Sequence, residues 1–544
     1  MTFLPVPEYR PDTAYLKSDY SDEVQNVFAA DGFYMPCPSF NKLTGLNVPY
    51  TSYGSIGVRT LSNAILVFIG TEKNLWILRD LEIGFVNVSK SYTPPEPLPP
   101  GENGPYSAGQ EHRWSFTVFG TAVIATNGAD APQIFDYDNI SPTASFRDLG
   151  DDPTREDLPE GNIAPIGRTV KNWGNFVAIM DVDASPNTVY WSGLNDADWW
   201  TVGQKDCDLQ KFYDGGRVVG SSEATNPIIF LQSAIYAATF VPGSDIIFSF
   251  QKIHERRGLK SSLSLSSRGS LSFYADEGGF FQINGEGGIV PIGFEKVDRT
   301  YFSSINSQNL SQIMGVIDPF YTRVYWALDT EARGIFDQIL VYDWELQKWT
   351  TIKVRVTSLI PVYSFGVTLE GLDWFCREDD SLPVCNNPEG CEISGEPTPY
   401  NPASIERLPY SLDSKVWQSG SPILMGLGID DNNQPYIGSF NGDNMEASVV
   451  SQEMGPTNRQ MMRITGIMPV VDNENVLVSA GRRNIANLST PINWTDEKRQ
   501  SVNTGFVHLR SRARYHRFRI RIEKGETWSN MTGIDVTAIP AGLR

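Results

Sequence analysis

At 544 residues the chain is far longer than the ~250 to 300 residues at which a single hydrophobic core stops growing, so several domains or one long repeat array are expected. With 13 Trp, 22 Tyr, 28 Phe, 47 Gly and 35 Pro, and almost no Ala, Leu, Glu and Lys runs at helical spacing, the composition excludes a helical bundle and favours an all-β protein. A net charge of −20 excludes a general coat for nucleic acid, which needs a basic surface.

Residues 1–48 are irregular. Pro5, Pro7, Pro11, Pro36 and Pro38 deny long helices and central strands, and the stretch reads as an N-terminal arm lying over a neighbouring sheet. Its opening has no basic region followed by an apolar core, so no secretory signal is expected. The apolar run Ala64 to Ile69 falls well short of the ~20 residues that a membrane-spanning helix needs.

Residues 49–374 read as β-propeller blades. NAILVFIGTEKNLWILRD (Asn63 to Asp80) is a strand pair around a Thr-Glu-Lys-Asn turn, and LEIGFVNVSK continues it with period-two alternation. The six prolines of SYTPPEPLPPGENGPY (Ser91 to Tyr106) make a stiff connection. RWSFTVFGTAVIATNGADAPQIFDYD (Arg113 to Asp138) supplies three strands with a turn at Asn127-Gly128. DLGDDPTREDLPEG (Asp148 to Gly161) sets six carboxylates against one arginine; its spacing does not match an EF-hand, and it reads as a solvated acidic loop.

Hairpin-like units then recur roughly every 40 residues, near the length of a four-stranded blade. They are NWGNFVAIMDV with NTVYWSG, NPIIFLQSAIYAATF with DIIFSFQKI, and GSLSFYADEGGFFQINGEGGIVPIG, whose Gly-rich stretch reads as a tight turn. Ile305, Leu310, Ile313 and Met314 stand near helical spacing and predict one helix over residues 304–318, stopped at Asp318-Pro319. RVYWALDTEARGIFDQILVYDWELQKWTTIKV (Arg323 to Val354) returns to alternation. Residues 375–409, rich in Pro, Asn and acid, read as an insertion, and residues 410–447 as a last blade-like unit.

Residues 448–544 change character, with RQMMRITGIMPVV, NVLVSAGRR and RYHRFRIRIEKG as strands lacking paired tryptophans, and read as a β-sandwich-like domain. From Ser501 onward eight basic residues face three acidic ones, so this end is +5 and the remainder −25. In the strand Tyr515 to Ile522, Arg517, Arg519 and Arg521 fall on one face and Phe518, Ile520 and Ile522 on the other. That arginine face suits phosphate or an acidic protein. With only Tyr515 beside it for stacking, protein contact or solvent is favoured over nucleic acid.

Chemistry-bearing motifs are sparse. The four histidines, His112, His254, His508 and His516, sit in no recognisable nucleophile motif, and no phosphate-binding loop, dinucleotide fingerprint or H-E-x-x-H occurs. Cys37 and Cys207 are isolated, Cys376, Cys385 and Cys391 lack nearby histidines, and all five read as loop and core cysteines. Trp191, Trp199, Trp200, Trp326, Trp344 and Trp349 suit either blade packing, the favoured reading, or sugar platforms. The S-x-D-x-G-x-T-W repeat of sialidase-type propellers is missing, but a glycosidase carboxylate pair has no sequence signature to look for. No catalytic, cofactor-binding or metal-ligating residue is assigned.

Several stretches together resemble the tail nozzle family of short-tailed bacteriophages, the podoviruses, which includes packaged-DNA stabilisation and tubular tail proteins. They are LPVPEYRPDTAYL with VQNVFAADGFYMPCPSF, FIGTEKNLWIL, YWSGLNDADWW, GGFFQINGEGGIVPIGFEKVDRTYF leading into IDPFYTRVYWAL, and RSRARYHRFRIRIEKGETWSNMTGIDVTAIPAGLR. The resemblance implies a β-propeller with added β-domains, not an enzyme and without cofactor, made in the bacterial cytoplasm and built into the virion tail. It implies a homo-hexameric ring continuing the DNA channel from a tail adaptor or portal-proximal ring. Such a ring holds the packaged genome, passes it during ejection without sequence-specific binding, adjoins tail fibres or spikes and inserts in no membrane. The alternative is a carbohydrate-binding or glycan-cleaving propeller for host-receptor recognition; a cellular propeller scaffold for protein partners is a third.

Overall fold

The computed structural model describes residues 2–13, 19–62, 64–79, 84–90, 103–138, 144–244, 246–304, 313–364, 391–393, 396–398, 421–455, 460–485 and 491–542. Among the described residues five four-stranded antiparallel sheets and a sixth four-stranded meander, which opens a 13-stranded sheet, follow one another along the chain, each with its strands paired in sequence order. The first comprises Gly54–Arg59, Ile65–Gly70, Leu75–Leu78 and Phe85–Asn87, and the second Ser115–Phe119, Ala122–Thr126, Gln133–Asp136 and Arg147–Asp148. The third runs from Gly167–Asn172 to Asp208–Lys211, the fourth from Val218–Ser221 to Phe248–Glu255 and the fifth from Ser266–Arg268 to Ile289–Pro291. The sixth comprises Met314–Ile317, Arg323–Leu328, Phe336–Asp343 and Lys348–Tyr363. Serial four-stranded meanders are propeller-blade architecture, and the protein is all-β.

The chain divides into two compact units. One comprises residues 40–170 and 357–442, the other residues 1–39, 171–356 and 443–544. In the former, residues 357–363 of the long strand pair with Pro422–Ile429, which pairs with Pro435–Asn444, which pairs with residues from 40 onward in Pro38–Asn47. This further sheet packs on the first meander through Leu43, Val67, Ile69, Ile360, Val362 and Leu427, and the first packs on the second through Phe68, Ile77, Trp114, Phe135 and Phe146. Gly70 has no side chain because the indole of Trp114 lies where a Cβ would stand, and Trp114 Nε1 donates to the Thr71 carbonyl at 2.9 Å.

In the other unit, the third meander packs on the fourth through Trp173, Trp191, Phe248 and Ile229, and the fourth on the fifth through Phe230, Ile235, Tyr274 and Phe281. Alternation explains these cores: each strand turns one apolar row into the space between sheets, and aromatic side chains fill it. Residues 443–544 form a sandwich of two sheets. Ser511–Ala513, Met462–Val471 and Met531–Pro540 belong to one; Ala447–Val450, Tyr515–Ile522 and Val476–Arg483 belong to the other.

The arm lies within these sheets, not over them. Thr2–Pro5 pairs antiparallel with Met531–Pro540, and Tyr34–Pro36 pairs with the same strand at Met531. Gln25 of Val24–Gln25 pairs with Thr351 on one side and Ser448 on the other. Up to Pro36 the strands are two to four residues long, but Pro38 opens the ten-residue strand Pro38–Asn47, because a proline at the first position of a strand removes no interior ladder bond; Pro5 and Pro36 likewise stand at strand ends.

The predicted helix over 304–318 is also corrected. The helix α1 is Asp298–Ser304, Met314–Ile317 is a fully buried strand, and residues 305–312 lie outside the described residues. A buried strand is apolar on both faces, so its residues mimic helical spacing over a short window. The Pro-rich stretch 91–102 and most of 375–409 also lie outside the described residues; Cys391–Ile393 and Glu396–Thr398 form a small hairpin there.

Candidate functional site

Arg517, Arg519 and Arg521 do line one face of their strand, but that face is not open to a foreign anion. Arg517 Nη2 is 2.5 Å from Asp22 Oδ1 and its Nε donates to the Ser451 carbonyl at 3.1 Å, with the side chain 3% exposed. Arg519 Nη2 donates to Glu23 Oε2 at 2.8 Å, and its guanidinium lies 4.4 Å from the centroid of the Trp494 ring. Arg521 pairs with Glu497 at 2.6 Å and Glu446 at 3.2 Å, and these carboxylates hold its pKa above the ordinary value. For Arg517 and Arg519 the acidic partner is the arm of the same chain, and for Arg521 it is Glu446 and Glu497.

A second clamp holds the arm to α1. The Asp12 carboxylate accepts from the backbone N–H of Arg299 and of Thr300, each at 2.7 Å, and from Thr300 Oγ1 at 2.7 Å. An acceptor thus reaches the open N–H groups of the first turn from a residue far away in sequence. Glu8 pairs with Lys296 at 3.0 Å, the Tyr9 and Tyr301 hydroxyls share a hydrogen bond of 2.7 Å, and Asp12 N–H donates to the Lys296 carbonyl at 3.1 Å. Burial pushes the Tyr301 hydroxyl up to about 12, so both phenols stay protonated.

Between the clamps, Asn26 takes a left-handed backbone conformation with φ 57°. Its amide donates to the Glu446 carbonyl at 2.8 Å and accepts from the Lys353 N–H at 2.9 Å. Asn tolerates this backbone region better than most residues and satisfies two strands at the kink. Phe28 then rests on the Arg323 guanidinium, 4.2 Å from ring centroid to Cζ, with Asp343 3.6 Å from Arg323 Nε.

Asp298, the first residue of α1, is buried, and desolvation pushes its carboxyl up to about 7. It accepts from Phe280 N–H at 3.1 Å, and the backbones of Gly279 and Gly293 press against its oxygens so closely that neither position has space for a Cβ. The group has the pKa of a general acid, yet glycine backbone encloses it where a substrate would stand.

The tryptophans are blade packing. Trp326 and Trp349 are fully buried and stack at 5.4 Å, Trp191, Trp199 and Trp200 are buried, and Trp344 packs on Phe273 at 5.2 Å. They offer no open sugar platform. Cys37 and Cys207 are buried free thiols, pushed up by desolvation; Cys376 and Cys385 lie outside the described residues, as does the Cys391 side chain. His254 bonds to the Gly287 carbonyl at 3.0 Å, while buried His516 is pushed down to about 4 by desolvation and by Arg482. In the acidic loop, Asp152 pairs with Arg147 and Asp157 with Arg155. Among the described residues no group of three or more His, Cys, Asp or Glu is placed to hold a metal ion, and no helix is long and apolar enough to cross a membrane.

No protein-family description matches the sequence, and no curated protein matches it. Among solved structures, YCF48 bound to D1 peptide is 13% identical over 60% of this chain and 91% of its own, with a TM-score of 0.32. Virginiamycin B lyase from Staphylococcus aureus is 10% identical over 59% of this chain and 92% of its own, with a TM-score of 0.36. A protein from Desulfotomaculum acetoxidans DSM 771 is 13% identical over 59% of this chain and 92% of its own, with a TM-score of 0.32. Likenesses at this level carry no argument about activity, ligand or partner, and the propeller reading rests on the meanders themselves.

Proposed function

We propose that the chain is a structural virion protein, the distal nozzle of a short bacteriophage tail: one subunit of a six-fold ring that retains packaged DNA and conducts it during ejection. One observation supports this reading above others. Two stretches through which the sequence resembles the nozzle family, hundreds of residues apart, meet in the first arm clamp, and the second clamp holds a third such stretch through Asp22 and Glu23, which stand between the two resembling stretches of the arm. The arm's Glu8, Tyr9 and Asp12 seize the segment from Lys296 to Tyr301, and its Asp22 and Glu23 seize Arg517 and Arg519. The two clamps tie α1, between the fifth and sixth meanders, and the C-terminal sandwich to one arm.

Polar side chains spent on clamping suit a protein whose task is mechanical, holding its shape against a confined genome, and the reading assigns no catalytic role. In the ring the chain contacts its own copies, the adaptor or portal-proximal ring and the fibres or spikes. DNA passes without sequence-specific contact.

The test is removal of the gene from the phage that carries it, with electron microscopy and DNA quantification of the particles. Heads that fill and then empty are the expected outcome. Full, stable heads that fail to adsorb would transfer the assignment to receptor or glycan binding, and unaffected phage would refute both.

A further inference from the structure

We infer that the C-terminal sandwich carries a cavity for a carboxylate-rich polypeptide segment of another chain. The cavity, about 580 Å³ in volume, is lined by three permanent cations, Arg463, Lys498 and Arg510, and by the His508 imidazole, against one carboxylate, Asp496. Thr465 and Thr495 also line it, but their hydroxyls serve the fold: Thr465 Oγ1 donates to the Thr537 carbonyl at 3.2 Å, and Thr495 Oγ1 accepts from Ala480 N–H at 3.0 Å. The cations are what remains for a ligand.

Their lack of partners is the second observation. The chain has 64 carboxylates for 44 Lys and Arg, and on the strand Tyr515–Ile522 every arginine is neutralised by Asp22, Glu23, Glu446 or Glu497. Among the described residues, by contrast, the side chains of Arg463 and Arg510 make no ion pair or hydrogen bond. Lys498 Nζ makes one, to the His508 carbonyl at 3.2 Å. In a protein with excess acid, three cations converging on one concavity against a single lining carboxylate form an electrostatic site that an external anion completes. Guanidinium forks donate two parallel N–H bonds to a carboxylate.

The volume exceeds what one carboxylate fills, and three cations call for several negative charges along one segment. No Trp, Tyr or Phe lines the cavity, so nucleotide bases would find no stacking surface. Acidic polypeptide is the ligand class that fits.

Fluorescence anisotropy of the full chain with a short labelled oligo-glutamate peptide and with a short labelled DNA duplex, at low salt and at ~0.5 M salt, tests this. The peptide binds at low salt and is released at high salt. The double variant Arg463→Glu with Arg510→Glu, or the milder Arg463→Gln with Arg510→Gln, weakens it about tenfold or more. The exposed pair Lys353→Glu with Lys524→Glu, outside the lining, changes net charge equally and leaves peptide affinity within about twofold. Equal loss in both charge-reversed variants, no peptide binding, or tighter binding of DNA than of peptide would each overturn the inference. Because none of these readouts involves a virion, the cavity and the nozzle reading stand or fall separately.

Discussion

Asp298 and His516 are two buried residues that make stability respond to pH, and they act in opposite directions. Asp298 has its folded pKa raised to about 7 from 3.8. Between these values the folded state binds the extra proton, so the group's penalty is fully developed above pH 7 and fades as pH falls toward 3.8. His516 has its folded pKa depressed to about 4 from 6.5. Its contribution is complete above pH 6.5 and is lost as pH falls through 4. The wild-type profile is the balance of both, which a single substitution separates. Asp298→Asn keeps an acceptor for Phe280 N–H and removes the buried charge, so it is expected to stabilise by a few kcal/mol at pH 8, and the gain should vanish near pH 4. Urea denaturation of both proteins across this range measures it; a gain independent of pH, or a loss at pH 8, would show that the carboxylate has a favourable partner after all.

At the scale of the element, the arm is the part of the molecule on which most connections depend, and the ion pairs that hold it differ in worth according to burial. Asp22→Ala takes the carboxylate from Arg517, whose side chain is 3% exposed and keeps the Ser451 carbonyl, whereas Glu23→Ala releases Arg519, which is 28% exposed and keeps the Trp494 ring. Removing the partner of a buried charge costs up to ~3 to 5 kcal/mol, less here because Asp22 itself is 36% exposed, against at most ~1 kcal/mol for a pair that solvent reaches on both sides. Asp12→Ala, which uncaps α1, should fall between them at ~1 to 2 kcal/mol. Denaturant midpoints of the three variants should follow the order Asp22→Ala, Asp12→Ala, Glu23→Ala, most damaging first; a reversed order would mean that Arg517 finds another acceptor. These pairings also mark where sequence reading stops. Hairpins such as Ile65–Gly70 with Leu75–Leu78 are legible because alternation and turn chemistry are local, as at Asn127, whose side chain accepts from Ala129 and Asp130 N–H. Arg517, Arg519 and Arg521 are correctly legible as one face of a strand. Their partners Asp22 and Glu23 are not, because nothing local in an arginine row distinguishes an external anion from a carboxylate nearly five hundred residues earlier.

For the whole molecule the charge of −20 is the property with a mechanical consequence. The +5 of the last 44 residues overstates what solvent meets, since Arg517, Arg519 and Arg521 are already matched by acids of the arm and the sandwich. Exposed acid dominates elsewhere, for example at Glu72, Asp151, Glu156, Asp157, Glu277, Glu286 and Glu331. In the proposed ring six such chains carry six times −20. Duplex DNA beside an acidic wall is repelled over about one Debye length, ~8 Å at physiological salt, so the effect matters only for carboxylates that face the lumen closely. Replacing exposed carboxylates by Lys in small groups, one group per phage variant, should therefore divide the surface sharply. Groups facing the lumen should slow ejection, more at low than at high salt, because a cationic wall binds phosphates and releases them as salt rises. Groups outside should leave ejection unchanged. Time-resolved DNA release from purified virions measures this, and a complete set of groups without effect would refute the repelling wall while leaving the ring itself to be judged by microscopy.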